Sequence, residues 1–235
     1  GDLLAKEGLR GCQGAIRAKS DKKTRYQVKA AKLFNSRRAD FAPMFLDKEL
    51  NTIYFTSSNE KATGTNKSEI TGTKKSDIIY TKKDEKGNWQ RPEPAEGELN
   101  SENDEGIVSF SPDGQTMYLT MARRLPDAPT TVEIFTSRRS DATWSAPQKF
   151  EITADTLSAM GHPAVSPDGT YLYFSSDMPG GFGGKDIWRI NLKERAGSLE
   201  NLGEQINTPG DEMFPYVRTD SLLYFSSDGH PGFGG

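Results

Sequence analysis

Residues 165–188 read VSPDGTYLYFSSDMPGGFGGKDIW, and this segment begins with the pattern of a β-hairpin. The turn at residues 167–169 is Pro-Asp-Gly, in which proline fixes φ, aspartate can hydrogen-bond its own backbone and glycine tolerates a positive φ. The following run, YLYFSS, is rich in residues that favour strands. The segment therefore predicts two antiparallel strands joined by this turn.

Three further segments repeat the hairpin along the chain. They read MFLDKELNTIYFTSS at 44–58, FSPDGQTMYLT at 110–120 and YVRTDSLLYFSS at 216–227. The equivalent tyrosines of the four hairpins are Tyr54, Tyr118, Tyr173 and Tyr224. Their spacing slightly exceeds the roughly 40 to 50 residues of known propeller-blade repeats, which leaves room for longer loops. Self-similarity on this scale indicates a fold built from copies of one unit.

Two more strands are predicted after each hairpin. An acidic residue leads into an apolar and aromatic run at Asp77, Glu133 and Asp186, which indicates a third strand. The tetrapeptides 89–92 and 144–147 begin with Trp and end with Pro, which suits a fourth strand because proline is tolerated at the outer edge of a sheet. Four strands per unit, repeated radially, make an all-β propeller of four-stranded antiparallel blades, whereas a β-sandwich would not produce this periodicity.

The chain is predicted to contain two regions. Residues 1–23 are expected to form a short helix or linker, and residues 24–235 an incomplete propeller of about three and a half blades. We expect residues 26–36 to occupy the place of a fourth strand. They would close the ring by pairing with the last blade, which lies beyond the present sequence.

The junctions between units repeat as well. Residues 99–105 and 206–212 share one pattern of Asn, then Ser or Thr, then two adjacent carboxylates, and residues 35–40 are a weaker copy. Carboxylates at blade junctions are expected to accept hydrogen bonds from backbone N–H groups of the neighbouring blade. This structural role is favoured over acid/base chemistry or calcium binding at these positions.

The composition argues against several classes of function. A net charge of -3 provides no strongly basic face, so nucleic acid is not an expected partner. No apolar run approaches the roughly 20 residues needed to span a bilayer, so this segment is not expected to insert into a membrane. Cys12, His162 and His230 are far apart in sequence, and no hydrolase, sialidase or zinc motif is present. We therefore expect no catalytic residues, no metal and no cofactor.

Loops at the two ends of a propeller are candidate docking elements. Residues 59–76 form a long polar loop, and a Gly-Phe-Gly-Gly sequence occurs at 181–184 and again at 232–235. The recurrence of the second loop favours an architectural role, in which glycines allow a tight reversal and the phenylalanines fill space between blades. The residues predicted to contact a partner are Lys67, Lys74, Lys75, Asp177, Phe182, Asp228 and Phe233.

The runs at 165–188 and 206–235 resemble the TolB-like propeller repeats called PD40, and more narrowly the propeller of OmpA-family proteins from Bacteroidetes. Together with NSRRADFAPMF at 35–45, they are most similar to PorE-type lipoproteins of the type IX secretion system. The resemblance implies a six-bladed ring in a periplasmic protein associated with the outer membrane. It also implies a helical-repeat domain before the propeller and a peptidoglycan-binding domain after it.

The favoured function is therefore a non-catalytic scaffold that links secretion machinery to the cell wall through protein contacts. One alternative is a module that binds glycans or peptides, for example cell-wall fragments, at one mouth of the ring. The other alternative is the propeller of a hydrolase whose catalytic domain lies outside this chain, as in prolyl oligopeptidases. Sequence downstream of residue 235 would distinguish the hydrolase from the scaffold.

Overall fold

The computed structural model describes residues 3–20, 29–63, 67–124, 129–141, 143–153, 158–195 and 197–231. Helix α1 (Leu3–Ser20) runs without a break across three glycines. Within the described ranges, no helix combines the length and the apolar character that a membrane crossing requires. The rest of the described chain consists of short strands and the loops that join them.

Fifteen strands follow α1 in the described residues. They are β1 (Asp40–Phe45), β2 (Thr52–Ser57), β3 (Asp77–Lys82), β4 (Glu93–Pro94), β5 (Asp104–Phe110), β6 (Thr116–Arg124), β7 (Thr130–Ser140), β8 (Thr143–Trp144), β9 (Gln148–Lys149), β10 (Met160–Val165), β11 (Tyr171–Ser176), β12 (Asp186–Asn191), β13 (Glu200–Asn201), β14 (Glu212–Thr219) and β15 (Leu222–Ser227).

These strands form consecutive antiparallel sheets, which we number as blades. Blade 1 has the order β1-β2-β3-β4, blade 3 has the order β10-β11-β12-β13, and blade 4 contains the pair β14-β15. Blade 2 has the order β5-β6-β7, with β8 and β9 both paired to β7. The first strands of neighbouring blades contact one another, so they lie innermost. This arrangement confirms the all-β propeller of four-stranded antiparallel blades, preceded by a helix.

The four tyrosines occupy one structural position, as the repeat predicts. In register, each second strand places its tyrosine opposite the first-strand residue that follows a bulge. The four pairs are Tyr54–Met44, Tyr118–Ser109, Tyr173–Ala164 and Tyr224–Tyr216. The repeated unit recognised in the sequence is therefore the unit of the fold.

The apolar faces of the blades are buried against each other. Tyr54 of blade 1 packs against Phe110 and Trp144 of blade 2, and the Trp144 indole N–H donates to the Tyr54 hydroxyl at 3.1 Å. Tyr118 of blade 2 belongs to the equivalent cluster with Phe174 of blade 3. Each blade thus covers its neighbour, and burial of these large side chains is the main source of stability between the copies.

The repeated junctions form a second contact between blades. The Asn100 carboxamide accepts the Ile78 N–H at 2.8 Å and donates to the Ile78 carbonyl at 3.0 Å. Asn207 holds Ile187 in the same way, at 2.7 and 3.0 Å. The neighbouring carboxylates act as predicted, because they accept backbone N–H groups of the preceding blade. These pairs are Asp104 with Ser76 at 2.9 Å and Asp211 with Lys185 at 2.7 Å.

The fourth strands are shorter than the sequence suggests. In blade 1 the paired residues are Glu93–Pro94, just after the predicted tetrapeptide 89–92. In blade 2 the edge divides into β8 and β9 on either side of Pro147. Proline has no N–H to donate, which accounts for the interruption of the ladder at that point.

Residues 29–36 do not form the predicted strand in this chain, and the pairing of residues 26–36 with a further blade stays a prediction. These residues form a turn, in which the N–H groups of Phe34 and Asn35 donate to the Ala31 carbonyl at 2.9 and 3.0 Å. The Phe34 ring packs edge-on against Trp89 of blade 1, with 5.5 Å between ring centroids. This aromatic contact holds the segment on blade 1 as a turn. Residues 26–28 lie outside the described residues.

Candidate functional site

Each first strand contains a bulge that the sequence analysis did not anticipate. One non-glycine residue at the bulge has a positive φ: Ala42 (50°), Ile107 (49°), His162 (56°) and Phe214 (54°). The pairing register shifts at the same place in every blade. The left-handed region of backbone conformation is unfavourable for residues other than glycine. Because this conformation recurs in all four blades, we infer that contacts with the surrounding structure stabilise it.

The bulges surround a cavity of about 340 Å³ to which all four blades contribute, and we call it the axial cavity. Its wall is largely apolar. The apolar side chains that line it include Phe41, Ile70, Ile107, Val132, Met213 and Phe214. A volume of this size lies at the small end of the range for ligand sites, roughly 300 to 1,000 Å³. The cavity therefore suits a small apolar group.

Hydrogen bonds between blades fix the bulges around the cavity. The Ile107 N–H donates to the Thr56 hydroxyl oxygen at 2.7 Å, and the His162 N–H donates to that of Thr120 at 2.9 Å. A glycine precedes each of these bulges. A Cβ on Gly106 would lie 3.0 Å from Thr56 Cβ and closer still to the other Thr56 side-chain atoms. The glycine is therefore required by the close approach of the neighbouring blade.

His162 is held at the bulge of blade 3 by blade 4. Its ring is stacked on that of Phe214, with centroids 4.2 Å apart and an interplanar angle of 11°. Its Nδ1 accepts the Phe214 N–H at 3.3 Å, so in the neutral ring the proton is assigned to Nε2. Burial, followed by the positive charge of Lys185, lowers the pKa of His162 to about 4. The ring is therefore a neutral donor through Nε2 at neutral pH.

Lys185 supplies the positive charge of the axial cavity. Its backbone is fixed at the junction of blades 3 and 4, where its N–H donates to Asp211 and its carbonyl accepts the Glu212 N–H at 2.6 Å. Its side chain is half-buried and lines the cavity. Among the described residues, no carboxylate or carbonyl pairs with its ammonium group. A half-buried ammonium without a counter-ion gains from pairing with an anion.

Carboxylates lie at the edge of the axial cavity, and their oxygens are engaged in the junctions. Glu105 is only 1% exposed and accepts hydrogen bonds from the N–H and hydroxyl of Ser101. Burial raises the pKa of Glu105 to about 7, and the nearby Asp77 and Asp104 add to this rise. Within the described ranges, no group of His, Cys, Asp and Glu side chains has an arrangement that could hold a metal ion.

The three predicted lysines lie in the loop between β2 and β3. Lys67 is exposed, and it faces Lys74 across a short bridge. The Lys74 ammonium donates to three backbone carbonyls of the same loop, those of Asn59, Glu60 and Ala62. Lys75 donates to the Glu102 carbonyl of blade 2 at 2.6 Å. Two of the three lysines therefore hold the loop in place, and a docking role for them remains a prediction.

The predicted Asp177, Asp228 and Phe182 are not among the residues that line the axial cavity. Asp177 accepts the Ala159 N–H and Asp228 accepts the Asp211 N–H, both at 2.7 Å, so each ties two strands of its own blade. Phe182 is 47% exposed, so it is only partly packed against other residues. Phe233 lies outside the described residues. A docking role for these four residues is likewise still a prediction.

The axial cavity depends on residues that the sequence analysis did not select as site residues. Among them are Ile107, His162, Lys185 and Phe214, and the sequence patterns predict a binding role for none of the four. The bulge residues can be recognised in the sequence when residues 105–107 are aligned with residues 160–162 and 212–214. In that alignment a glycine stands before the bulge residue in two of the three copies.

Comparisons with known proteins find similar folds, but they do not assign this chain to a family. No protein-family model matches the sequence, and no curated protein matches it. Among solved structures, an α-L-arabinofuranosidase from Lactobacillus brevis is 12% identical with a TM-score of 0.51, and the match covers 83% of this chain and 67% of that one. A putative TolB from Agrobacterium tumefaciens is 14% identical with a TM-score of 0.43, covering 83% and 72%.

A prolyl endopeptidase is similar over a smaller part of its own length. It is 12% identical with a TM-score of 0.41, and the match covers 81% of this chain but 25% of that one. This chain therefore spans about a quarter of the endopeptidase. At such identities the likeness is one of fold alone, and the fold of this chain is that of a β-propeller.

Proposed function

We propose that this propeller is a non-catalytic interaction module of the cell envelope, and that it serves periplasmic secretion machinery of the type IX kind near the outer membrane. The main support for this proposal is the axial cavity. It combines an apolar wall with two donor groups, His162 Nε2 and Lys185 Nζ, and neither donor has a protein partner in the described chain. Such a cavity, lined by residues of four packed blades, is suited to holding a segment of another molecule.

The hydroxyl groups around the cavity support binding in preference to nucleophilic chemistry. The Thr56 and Thr120 oxygens accept backbone N–H groups of the next blade, and the Ser175 hydroxyl donates to the Glu212 carbonyl at 2.7 Å. A nucleophilic hydroxyl needs an adjacent base that accepts its proton. These three groups are instead committed to contacts between blades.

The resemblance of residues 165–188 and 206–235 to PD40 repeats of OmpA-family proteins supports the envelope setting. In this proposal, domains outside the present chain bind peptidoglycan, and the propeller binds protein partners. The competing proposal is the propeller of a hydrolase with a separate catalytic domain. The full-length sequence distinguishes them, because the scaffold requires an OmpA-like domain and the hydrolase requires a Gly-x-Ser-x-Gly motif.

The test is affinity purification of the tagged full-length protein from native cell envelopes after mild cross-linking. We expect periplasmic and outer-membrane secretion proteins in the wild-type eluate. A matched Lys185→Met sample shows whether their recovery depends on the axial cavity. Recovery of no envelope partner by the wild-type protein would contradict the scaffold role, and peptide hydrolysis by the same preparation would favour the hydrolase.

A further inference from the structure

We propose that the axial cavity binds the carboxyl-terminal end of a peptide, with the terminal carboxylate at Lys185 and His162 and the last side chain against the apolar wall. This inference rests on the proposed binding role of the propeller and names the ligand of that role.

The two unpaired donors of the cavity favour an anionic acceptor. Lys185 Nζ and His162 Nε2 are both donors, and neither has a partner among the residues that the structure describes. The pKa of His162 is lowered, so its ring donates as a neutral group while Lys185 provides the charge. One carboxylate can accept from both donors, and hydrogen bonds between ionised groups are shorter and stronger than those between neutral ones.

The edge of the cavity limits how much negative charge the ligand carries. Asp104 and Glu105 line the cavity on the side of blade 2. The Asp104 carboxylate, and Glu105 in its ionised form, would repel a second anionic group placed close to them. A single carboxylate therefore fits better than a phosphate dianion.

The wall and the volume favour the end of a peptide over a sugar. The side chains of Phe41, Ile107 and Phe214 provide an apolar surface, while the hydroxyl oxygens of the nearby threonines already accept backbone N–H groups. A sugar presents many hydroxyls and would leave them unpaired against this wall. The cavity volume of about 340 Å³ lies at the small end of the range for known ligand sites. A ligand of that size is one apolar side chain with a carboxylate.

The carboxylate has two sources in a cell envelope, a protein C-terminus and the stem peptide of the cell wall. The experiment titrates the full-length protein with N-acetyl-Ala-Ala-X acids, in which X is Ala, Val, Leu, Met or Phe, and with diacetyl-Lys-D-Ala-D-Ala. Each acid is compared with its C-terminal amide by calorimetry. Binding by the L-peptides indicates a protein C-terminus, and binding by the D-Ala peptide alone indicates the stem peptide.

We expect at least one acid to bind and its amide to bind at least about tenfold more weakly, since the neutral amide can accept a hydrogen bond from the ammonium but cannot form an ion pair with it. Lys185→Met should weaken acid binding by a similar factor, Lys185→Arg should restore it, and Lys193→Met, on an exposed turn, is the matched control. Equal binding of acid and amide, or no binding of any acid by a protein with a normal melting temperature, would overturn the proposal. Recovery of envelope partners in that case would leave the scaffold role standing.

Discussion

His162 lies flat against Phe214, with 4.2 Å between their ring centroids, and its Nδ1 accepts the Phe214 backbone N–H. The two residues occupy the same bulge position in consecutive blades. One pair of side chains thus joins blade 3 to blade 4 and also forms part of the axial cavity. Changes at the bulges are therefore expected to alter both the stability of the ring and its binding.

Replacement of His162 by Ala should destabilise the protein. The variant loses the stacked ring and leaves the Phe214 N–H without its acceptor, and an unsatisfied buried donor costs about 1 to 3 kcal/mol. Urea unfolding measures the change in free energy. His162→Asn is the matched comparison, because its side-chain oxygen can accept the same N–H and Asn tolerates a positive φ. If both variants were as stable as wild type, the contact between blades 3 and 4 would have no energetic role.

Replacement of Gly106 by Ala should be more damaging than replacement of Gly161 by Ala. The new Cβ at Gly106 overlaps the Thr56 side chain, whereas at Gly161 its nearest neighbour, Thr120 Cγ2, is 3.1 Å away. Overpacking of this kind costs about 1 to 3 kcal/mol. Thermal unfolding of the two variants should give that order. Gly8→Ala, in α1 with no atom near the added Cβ, should be neutral or stabilising, and a similar loss in all three would argue against a specific clash.

Replacement of Asn207 by Ala should loosen the junction between blades 3 and 4 alone. The variant loses both hydrogen bonds to Ile187, so the Ile187 amide proton should exchange with solvent faster. The internal control is the Ile78 amide of blade 1, which donates to the Asn100 side chain. Its exchange rate should not change. Hydrogen exchange followed by NMR measures both sites in one experiment. Unchanged protection of Ile187 would show that the carboxamide is not what holds it.

The stability of the protein should depend on pH through Glu105. Its pKa rises to about 7 in the folded state from an ordinary value of 4.5, so between these values the folded protein holds a proton that the unfolded chain has released. The free energy of unfolding therefore falls as pH rises through this interval, by no more than about 3 kcal/mol from this group. Glu105→Gln should remove that part of the slope. Unfolding curves from pH 4.5 to 7.5 measure it.

The control for the loss of one negative charge is Glu85→Gln, at an exposed turn of blade 1. It should leave the pH dependence of stability close to that of wild type. A Glu105→Gln profile that runs parallel to the wild-type profile over the whole range would contradict the raised pKa of Glu105.

The hairpins and the third strands could be predicted because their signals are local. Pro-Asp-Gly turns and aromatic runs place Tyr118 and Tyr173 correctly from sequence alone. The fourth strands are outer edges with few residues paired, so their bounds carry little local signal. The turn at residues 29–36 was misread because its apolar residues suit a strand, while the Phe34 ring in fact packs on Trp89. That choice depends on a tertiary contact.

The axial cavity was harder to predict from the sequence. Its bulge residues adopt a positive φ although none of them is glycine, so the residue types at these positions do not predict the conformation. Lys185 directly follows the glycine-rich loop 181–184 in the sequence, and its lack of a counter-ion among the described residues becomes visible only in the folded chain. The junction carboxylates were predicted well, because a repeated Asn and acid pattern constrains the same backbone groups in each copy.

First strands distant in sequence converge on one axial cavity, and thiol cross-linking between positions 41 and 214 measures this convergence. The rings of Phe41 and Phe214 are 6.4 Å apart, in blades 1 and 4. In a Cys12→Ser background of the full-length protein, Phe41→Cys with Phe214→Cys should form an intramolecular adduct with a short bis-maleimide. Phe41→Cys with Glu194→Cys, on a remote exposed turn, should not. Failure of the first pair to cross-link in folded protein would contradict the convergence of the blades.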